Sequence, residues 1–464
     1  MKNILHGGVW LLVLCLYFFS CKKDSFVNDA SAILYTSRDT LFFDTVFAGR
    51  GSVTQSFKIF NGNDRKLHLK RIRLAGGDNS PFKININGIA AAEENDVVIA
   101  ANDSLYVFVQ VNVDPGASSL PFIVSDSIQI DFNGNTRFVQ LQAYGRNAIF
   151  LKNTVISGRV NWTNQLPYVI SGGINIHSGA TLQIAAGTQI YLHADAAMRI
   201  DGRLIVNGTK DERVVFTGDR LDEGYRDLPG SWPGILFTET SNGNQLNFAT
   251  IKNAYQAITI RGMDNTGVPK LVLSHSIIDN SFAAGIAATG TEIHADNNLI
   301  SNCGSNIVLR YGGDYRFVHC TVVSYGNSFI DHVNPALQVN DHNPDNATQT
   351  APLRAFFQNS IFWGDYGNVP NEIVVERKGN NVFGVNFDHI IYKATEVPVN
   401  ASFNASLLNV PPLFDSINTF RNFYDFHFTK QPSPAIDAGT PGPSAYDLDG
   451  KPRDALPDIG CYEQ

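Results

Sequence analysis

Several groups of side chains in this chain are of types that do chemistry, yet none sits at a spacing that fixes one reaction. Arg261, Arg310 and Arg316 share a stretch with Asp264, Asp279, Asp296 and Asp314. Elimination on an acidic polysaccharide needs a cation to neutralise the uronate, an Arg or Lys base, and often Ca2+ held by carboxylates. Hydrolysis of a glycosidic bond needs two or three Asp or Glu residues. No pair of carboxylates is found here at a regular interval, so these positions read as solvated and no catalytic residue is assigned. Asp331, His332, Asp341, His342 and Asp345 crowd one polar segment without an HxxxH spacing, which reads as a surface loop rather than a metal site. Asp447, Asp449, Asp454 and Asp458 offer oxygen ligands, so Ca2+ is the one cofactor left open. No bidentate Glu follows at the right distance, and turn-forming, backbone-capping roles are favoured. The better clue is aromatic. Trp232, Tyr311, Tyr315, Trp363 and Tyr366 fall at or near expected loops, where Tyr and Trp faces stack on sugar rings, and they form the candidate ligand-binding set. The competing reading is that Trp363 and its neighbours fill an internal aromatic column.

The elements that must position these residues repeat. An isoleucine stands two places before an asparagine in Ile251-Lys252-Asn253, Ile278-Asp279-Asn280 and Ile300-Ser301-Asn302, at steps of 27 and 22 residues. Repeats of this length mean a solenoid, because one strand-turn unit cannot bury its apolar face without a stacked neighbour. Upstream, Leu182-Gln183-Ile184 and Ile190-Tyr191-Leu192 are echoed by Leu204-Ile205-Val206 and Val214-Val215-Phe216. Apolar residues two apart in each triplet point to one face, the lumen of a helix wound from parallel strands. Asn at a repeated turn suits a ladder, its amide bonding the coils above and below. Farther on, Tyr325, Trp363 and Tyr392 replace the Asn, and an aromatic stack is expected there instead.

Across its 464 residues the chain is 44% hydrophobic and only 17% charged, with 31 Phe, 16 Tyr and 39 Gly but 3 Met. That balance favours strands and turns, and the length implies two or three domains. A net charge of −8 without a Lys/Arg cluster argues against nucleic acid as a partner. Lys2 followed by the apolar run 9–19 reads as an export signal too short to span a membrane comfortably. Its end, Phe18-Phe19-Ser20-Cys21, resembles a bacterial lipobox, which implies cleavage before Cys21, its acylation, and a membrane partner through that lipid. Cys303, Cys320 and Cys461 remain, an odd number without CxxC spacing, and are expected as buried free thiols.

Before the solenoid, short alternating runs such as Gln55-Ser56-Phe57-Lys58-Ile59-Phe60 and Tyr106-Val107-Phe108-Val109 are parted by Asn61-Gly62-Asn63-Asp64 and Asn133-Gly134-Asn135. This is the pattern of an antiparallel sandwich. With Asp44-Thr45-Val46-Phe47, Leu74-Ala75-Gly76-Gly77 and Leu141-Gln142-Ala143-Tyr144-Gly145, it resembles the ASH/MSP-like immunoglobulin domains of bacterial envelope proteins, which implies a spacer or adhesive module. Gly179-Ala180-Thr181-Leu182, Ala186-Gly187-Thr188 and Ser231-Trp232-Pro233-Gly234-Ile235 resemble the right-handed parallel β-helix of the pectate-lyase-like superfamily, particularly its Bacteroidetes members. Ser433-Pro434-Ala435-Ile436-Asp437-Ala438-Gly439 and Asp458-Ile459-Gly460-Cys461-Tyr462-Glu463 resemble a terminal segment of envelope β-helix proteins, expected to cap the last coil. Five Asp-Ser/Thr-aliphatic triplets, Asp39-Thr40-Leu41 among them, also match an O-glycosylation pattern of that phylum.

The expected architecture is all-β: a signal peptide at 1–20, a lipidated tether at 21–32, an Ig-like sandwich at 33–146, a parallel β-helix at 147–425 and a cap at 426–464. The expected role is a non-catalytic outer-membrane lipoprotein binding a glycan or envelope component. A polysaccharide lyase or hydrolase and a structural spacer are the rivals. Two or more ionisable groups converging on neighbouring coils would mark an enzyme; aromatic faces lining a groove without them would mark a binder.

Overall fold

The computed structural model describes residues 25–49, 51–114, 122–263, 267–429 and 432–464. The export signal, Cys21 and Asp264 lie outside them. The chain divides into two compact units, Met1–Asn147 and Ala148–Gln464.

The first unit is a two-sheet β-sandwich. One sheet runs Phe26–Val27, Lys66–Leu74, Phe122–Phe132, Asn135–Arg146 and Thr40–Phe47, with Glu93–Ile99 on Lys66–Leu74. The other runs Leu34–Thr36, Gln55–Asn61, Ser104–Val111, Phe82–Ile86 and Ile89–Ala90. Alternation decides the faces: Leu105, Val107, Val109 and Val111 are buried, and the residues between them face outward. Two details differ from expectation. Thr40–Phe47 pairs parallel, not antiparallel, with the last strand. The sandwich also begins earlier than residue 33, because Phe26–Val27 pairs with Lys66 and Leu67, and Asn133 Nδ2 donates to the Val27 carbonyl at 2.8 Å. Residues 26–32 are therefore part of the domain rather than a tether; buried Val27 supplies the reason.

The second unit is a parallel β-helix. Each strand pairs in parallel with its equivalent one coil away, generating three sheets that run the length of the unit. One lumen column reads Ile184, Val206, Leu246, Leu273, Ala295, Phe317, Phe357, Phe387 and Phe403 in direct register. It passes from aliphatic to stacked aromatic, with Phe357 and Phe387 at 4.9 Å and Phe387 and Phe403 at 4.7 Å between centroids. Stacking keeps the lumen filled without voids. The aromatic stack thus forms, but without Tyr325 and Trp363; Tyr392 joins its end, stacked 4.8 Å from Phe403. Register pairs Val323 with Trp363 and Phe362 with Tyr392, and a one-residue offset sends neighbouring side chains to opposite faces.

The asparagine column is present, but its side chains form a ladder over one step only, Asn253 to Asn280. Asn253, Asn280 and Asn302 adopt φ of 62°, 55° and 50°, the left-handed region that Asn tolerates better than most residues. Asn280 Nδ2 donates to Asn253 Oδ1 at 2.8 Å. A second left-handed column, Phe248, His275, Asn297, His319, Asn359 and His389, turns the opposite corner and gave no uniform residue type to read.

The C-terminal segment does not stop the last coil. It lies along the flank of several coils, because Leu299, Val323, Ile361, Trp363 and Ile391 project outward as an apolar strip. Phe414, Phe426, Phe428, Leu448, Ile459 and Tyr462 cover them. Cys461 N donates to Thr321 Oγ1 at 3.0 Å, and Gly460 N to the Asn359 carbonyl at 2.8 Å. Regular coils end with Ser402–Asn404 and Leu407–Leu408, and the hairpin of Ser416–Asn418 with Phe423–Asp425 already belongs to the covering layer. Residue 425 is therefore too late a boundary for the coils.

Candidate functional site

A cleft of about 830 Å³ lies on one corner of the β-helix. Its floor is backbone bent by glycine. Strand Ala284–Asp296 changes register between Thr289 and Thr291, and strand Ile307–Val318 bends through Tyr311, Gly312 and Gly313 with φ of 57°, 72° and 123°. A Cβ on Gly313 would stand 2.5 Å from the Thr291 carbonyl oxygen, so only glycine lets the coils approach here. Tyr311 holds the left-handed conformation without being glycine, a strain of roughly 1–3 kcal/mol that surrounding structure must hold.

Ionisable side chains converge on this floor from successive coils. Arg261, Thr289 and Arg310 share one outward column, and Glu292, Asp314 and Arg354 share another. Glu239, Arg261, Asp314, Asp345 and Arg354 line the cleft with half-buried Tyr311. Among the described residues, the guanidiniums of Arg261 and Arg354 and the carboxylate of Asp314 make no ion pair or side-chain hydrogen bond. Two free cations beside carboxylates on a concave surface suit a ligand that carries both negative charge and hydroxyl groups.

Glu292 and Asp314 correct the reading that no carboxylates recur at coil spacing: 22 residues apart, they are direct register partners. The next member, Arg354, is displaced by the loop of residues 341–350 and could not be placed by counting.

The aromatic candidates scatter. Tyr311 alone lines the cleft. Trp232 is fully buried in the lumen, with Nε1 donating to the Lys252 carbonyl at 2.9 Å. Tyr315 is buried too and its hydroxyl donates to the Gly312 carbonyl at 2.9 Å, bracing the cleft floor from below. Trp363 lies under the C-terminal segment with Nε1 on Asp365 Oδ2. Tyr366 is 76% exposed but packs by Tyr325, outside the cleft. Apolar bulk drew Trp232, Tyr315 and Trp363 inward, which removes their faces from any ligand.

The polar loop and the terminal aspartates also have structural employment. His332 Nε2 lies 3.2 Å from Glu372 Oε1, both buried, and Asp341 accepts the amides of Lys378 and Gly379 at 2.9 and 2.8 Å. Asp447 accepts from the amides of Asp449, Lys451 and Glu463, and Asp458 from those of Asp437 and Gln464. Among the described residues, no three His, Cys, Asp or Glu side chains gather to hold a metal. Cys303, Cys320 and Cys461 are free and buried, and burial pushes the first two thiols up to about 12.

A family model described as a pectate-lyase like beta helix domain matches residues 154–267. No curated protein matches the chain. Among solved structures, a family 123 glycoside hydrolase from Clostridium perfringens aligns at 12% identity and TM-score 0.18, over 26% of this chain and 26% of that one. The chain thus spans about a quarter of that hydrolase. The ASH / PapD-like domain 7 of human CEP192 aligns at 8% identity and TM-score 0.17, over 25% of this chain and 84% of that one. XylC in complex with xylose aligns at 10% identity and TM-score 0.30, over 91% and 89%. The continuous parallel sheets and the family match agree on a parallel β-helix, and residues 154–267 are similar to the pectate-lyase like beta helix domain.

Proposed function

We propose that this protein is a lipid-anchored envelope protein that binds a carboxylate-bearing polysaccharide in the cleft at Tyr311. The observation that carries the reading is the pair of guanidiniums, Arg261 and Arg354, unpartnered among the described residues and lining one concave surface. Guanidinium forks hold carboxylates bidentately, and Glu239, Asp314 and Asp345 accept from sugar hydroxyls. The sandwich serves as an Ig-like spacer between the Cys21 lipid and the β-helix, in a bacterium of the Bacteroidetes type. Acylation is tested by mass spectrometry of the mature N-terminal peptide, and Cys21→Ala is expected to release the protein from the membrane fraction.

A second reading, cleavage of the bound chain, is favoured by Asp314 and Arg354, register partners on neighbouring coils that both line the cleft. One assay separates the two. The mature protein is incubated with polygalacturonate, alginate and a neutral xylan, following both retention and new unsaturated or reducing ends. Binding predicts retention of an acidic polymer, weakened tenfold or more by Arg354→Ala, with no new ends. New ends lost in Asp314→Asn or Arg354→Ala would establish cleavage instead. Retention of neither acidic polymer by the wild type would reject the cleft assignment.

A further inference from the structure

A second concavity lies at the Asn-ladder corner, separated from the cleft by the first half of strand Ala284–Asp296, about 20 Å at the usual rise of a strand. It holds about 160 Å³. Three departures from the regular coil meet over it. Residues 219–232 contribute Asp227, residues 326–330 contribute Asn327 and Phe329, and the terminal hairpin contributes Arg421, Asn422 and Tyr424. The ladder fastens the first two: Asn280 Nδ2 donates to the Asp227 carbonyl at 2.7 Å, and Asn327 Nδ2 donates to Asn280 Oδ1 at 2.8 Å. Tyr424 fastens the third, its hydroxyl donating to the Gly326 carbonyl at 2.6 Å.

The geometry points to a second carbohydrate site, a pocket for a single neutral sugar ring, at the corner formed by Asn280 and Asn302. Its hydrogen-bonding capacity is mixed. Asn302 is 2% exposed, and its Nδ2 has no partner although Oδ1 accepts from Tyr325 N at 3.0 Å. A buried amide donor left open costs about 1–3 kcal/mol. The Arg421 guanidinium is likewise unpartnered among the described residues. Acceptors stand opposite: the carboxylates of Asp227 and Asp279, the latter 3.5 Å from Lys252 Nζ. Lys252 and Arg421 balance Asp227 and Asp279, so the lining has no net charge and a free anion gains little there. A polyhydroxylated ring uses donors and acceptors alike. Phe329, 41% exposed at the rim, supplies an apolar face for its C–H side.

The site does not depend on the cleft, and the experiment keeps them apart. The intact mature chain is titrated with glucose, galactose, mannose, xylose and N-acetylglucosamine by calorimetry and saturation-transfer NMR, with inorganic phosphate and sulfate in parallel. At least one sugar is expected to bind, tenfold or more weakly to Arg421→Ala and unchanged by Arg354→Ala. Arg421 is exposed on a hairpin, so that variant folds, checked by its unfolding temperature; Asn302→Ala is the buried companion. No binding by any of the five sugars, binding of phosphate or sulfate alone, or binding unaffected by Arg421→Ala would overturn the site. Loss with Arg354→Ala would reassign the sugar to the cleft and also overturn it.

Discussion

Asn280 shows what a single residue contributes to a stacked fold. Its side chain donates to Asn253 Oδ1 and to the Asp227 carbonyl, and accepts from Asn327, while its backbone sits at φ 55°. Two separate demands meet there, a hydrogen-bonding amide and a left-handed turn. Asn280→Gly loses the amide and keeps the turn, an expected loss of about 2 kcal/mol from partners left unsatisfied. Asn280→Ala adds about 1 kcal/mol of backbone strain. Urea unfolding of the two variants checks this; equal losses would mean the turn carries no strain at this position.

At the scale of the element, two histidines at the covering segment, His427 on it and His319 beneath it, have opposite pH demands. Hydrogen bonds donated to Asp449 and then to Asp425 push His427 up to about 9, against the opposing effect of burial. A raised imidazole stabilises the fold fully below its ordinary value near 6.5 and loses that contribution as pH rises through about 9. His319, beneath the segment, is pushed down to about 3 by burial, with Arg453 adding to it. Its contribution is present above 6.5 and is lost as pH falls toward 3. The segment is therefore expected to hold most firmly near pH 6.5. Amide exchange of residues 432–464 across pH 4–9 measures it, and His427→Gln should flatten only the alkaline side. His427 is partly exposed, so screening makes that side shallow.

For the β-helix as a whole, the covering segment solves a problem that stacking creates. Leu299, Val323, Ile361, Trp363 and Ile391 line up because coils stack in register, and a column of outward apolar residues exposes a patch that promotes association. Removing residues 426–464 is expected to make the chain aggregate, read by size-exclusion chromatography. A monodisperse truncated chain would show that the strip tolerates water. Buried Arg453 adds a polar lock, with Nη1 2.8 Å from Glu463 Oε2 and Nη2 2.6 Å from Asn297 Oδ1.

The sequence by itself determined the all-β class, the sandwich followed by parallel coils, and the turns at Asn253, Asn280 and Asn302. These follow from local periodicity, and each repeat writes the same instruction again. Only the tertiary structure decided which outward residues meet. Asp314 and Arg354 lie 40 positions apart yet are neighbours in register, because an inserted loop changes the count without changing the coil. Burial likewise turned Trp232, Tyr315 and Trp363 from candidate ligand contacts into core, since a ring's hydrophobic area favours the lumen or the covered flank over water. Stacking order is local and readable; the cleft depends on loop lengths and register, which no single stretch of the chain encodes.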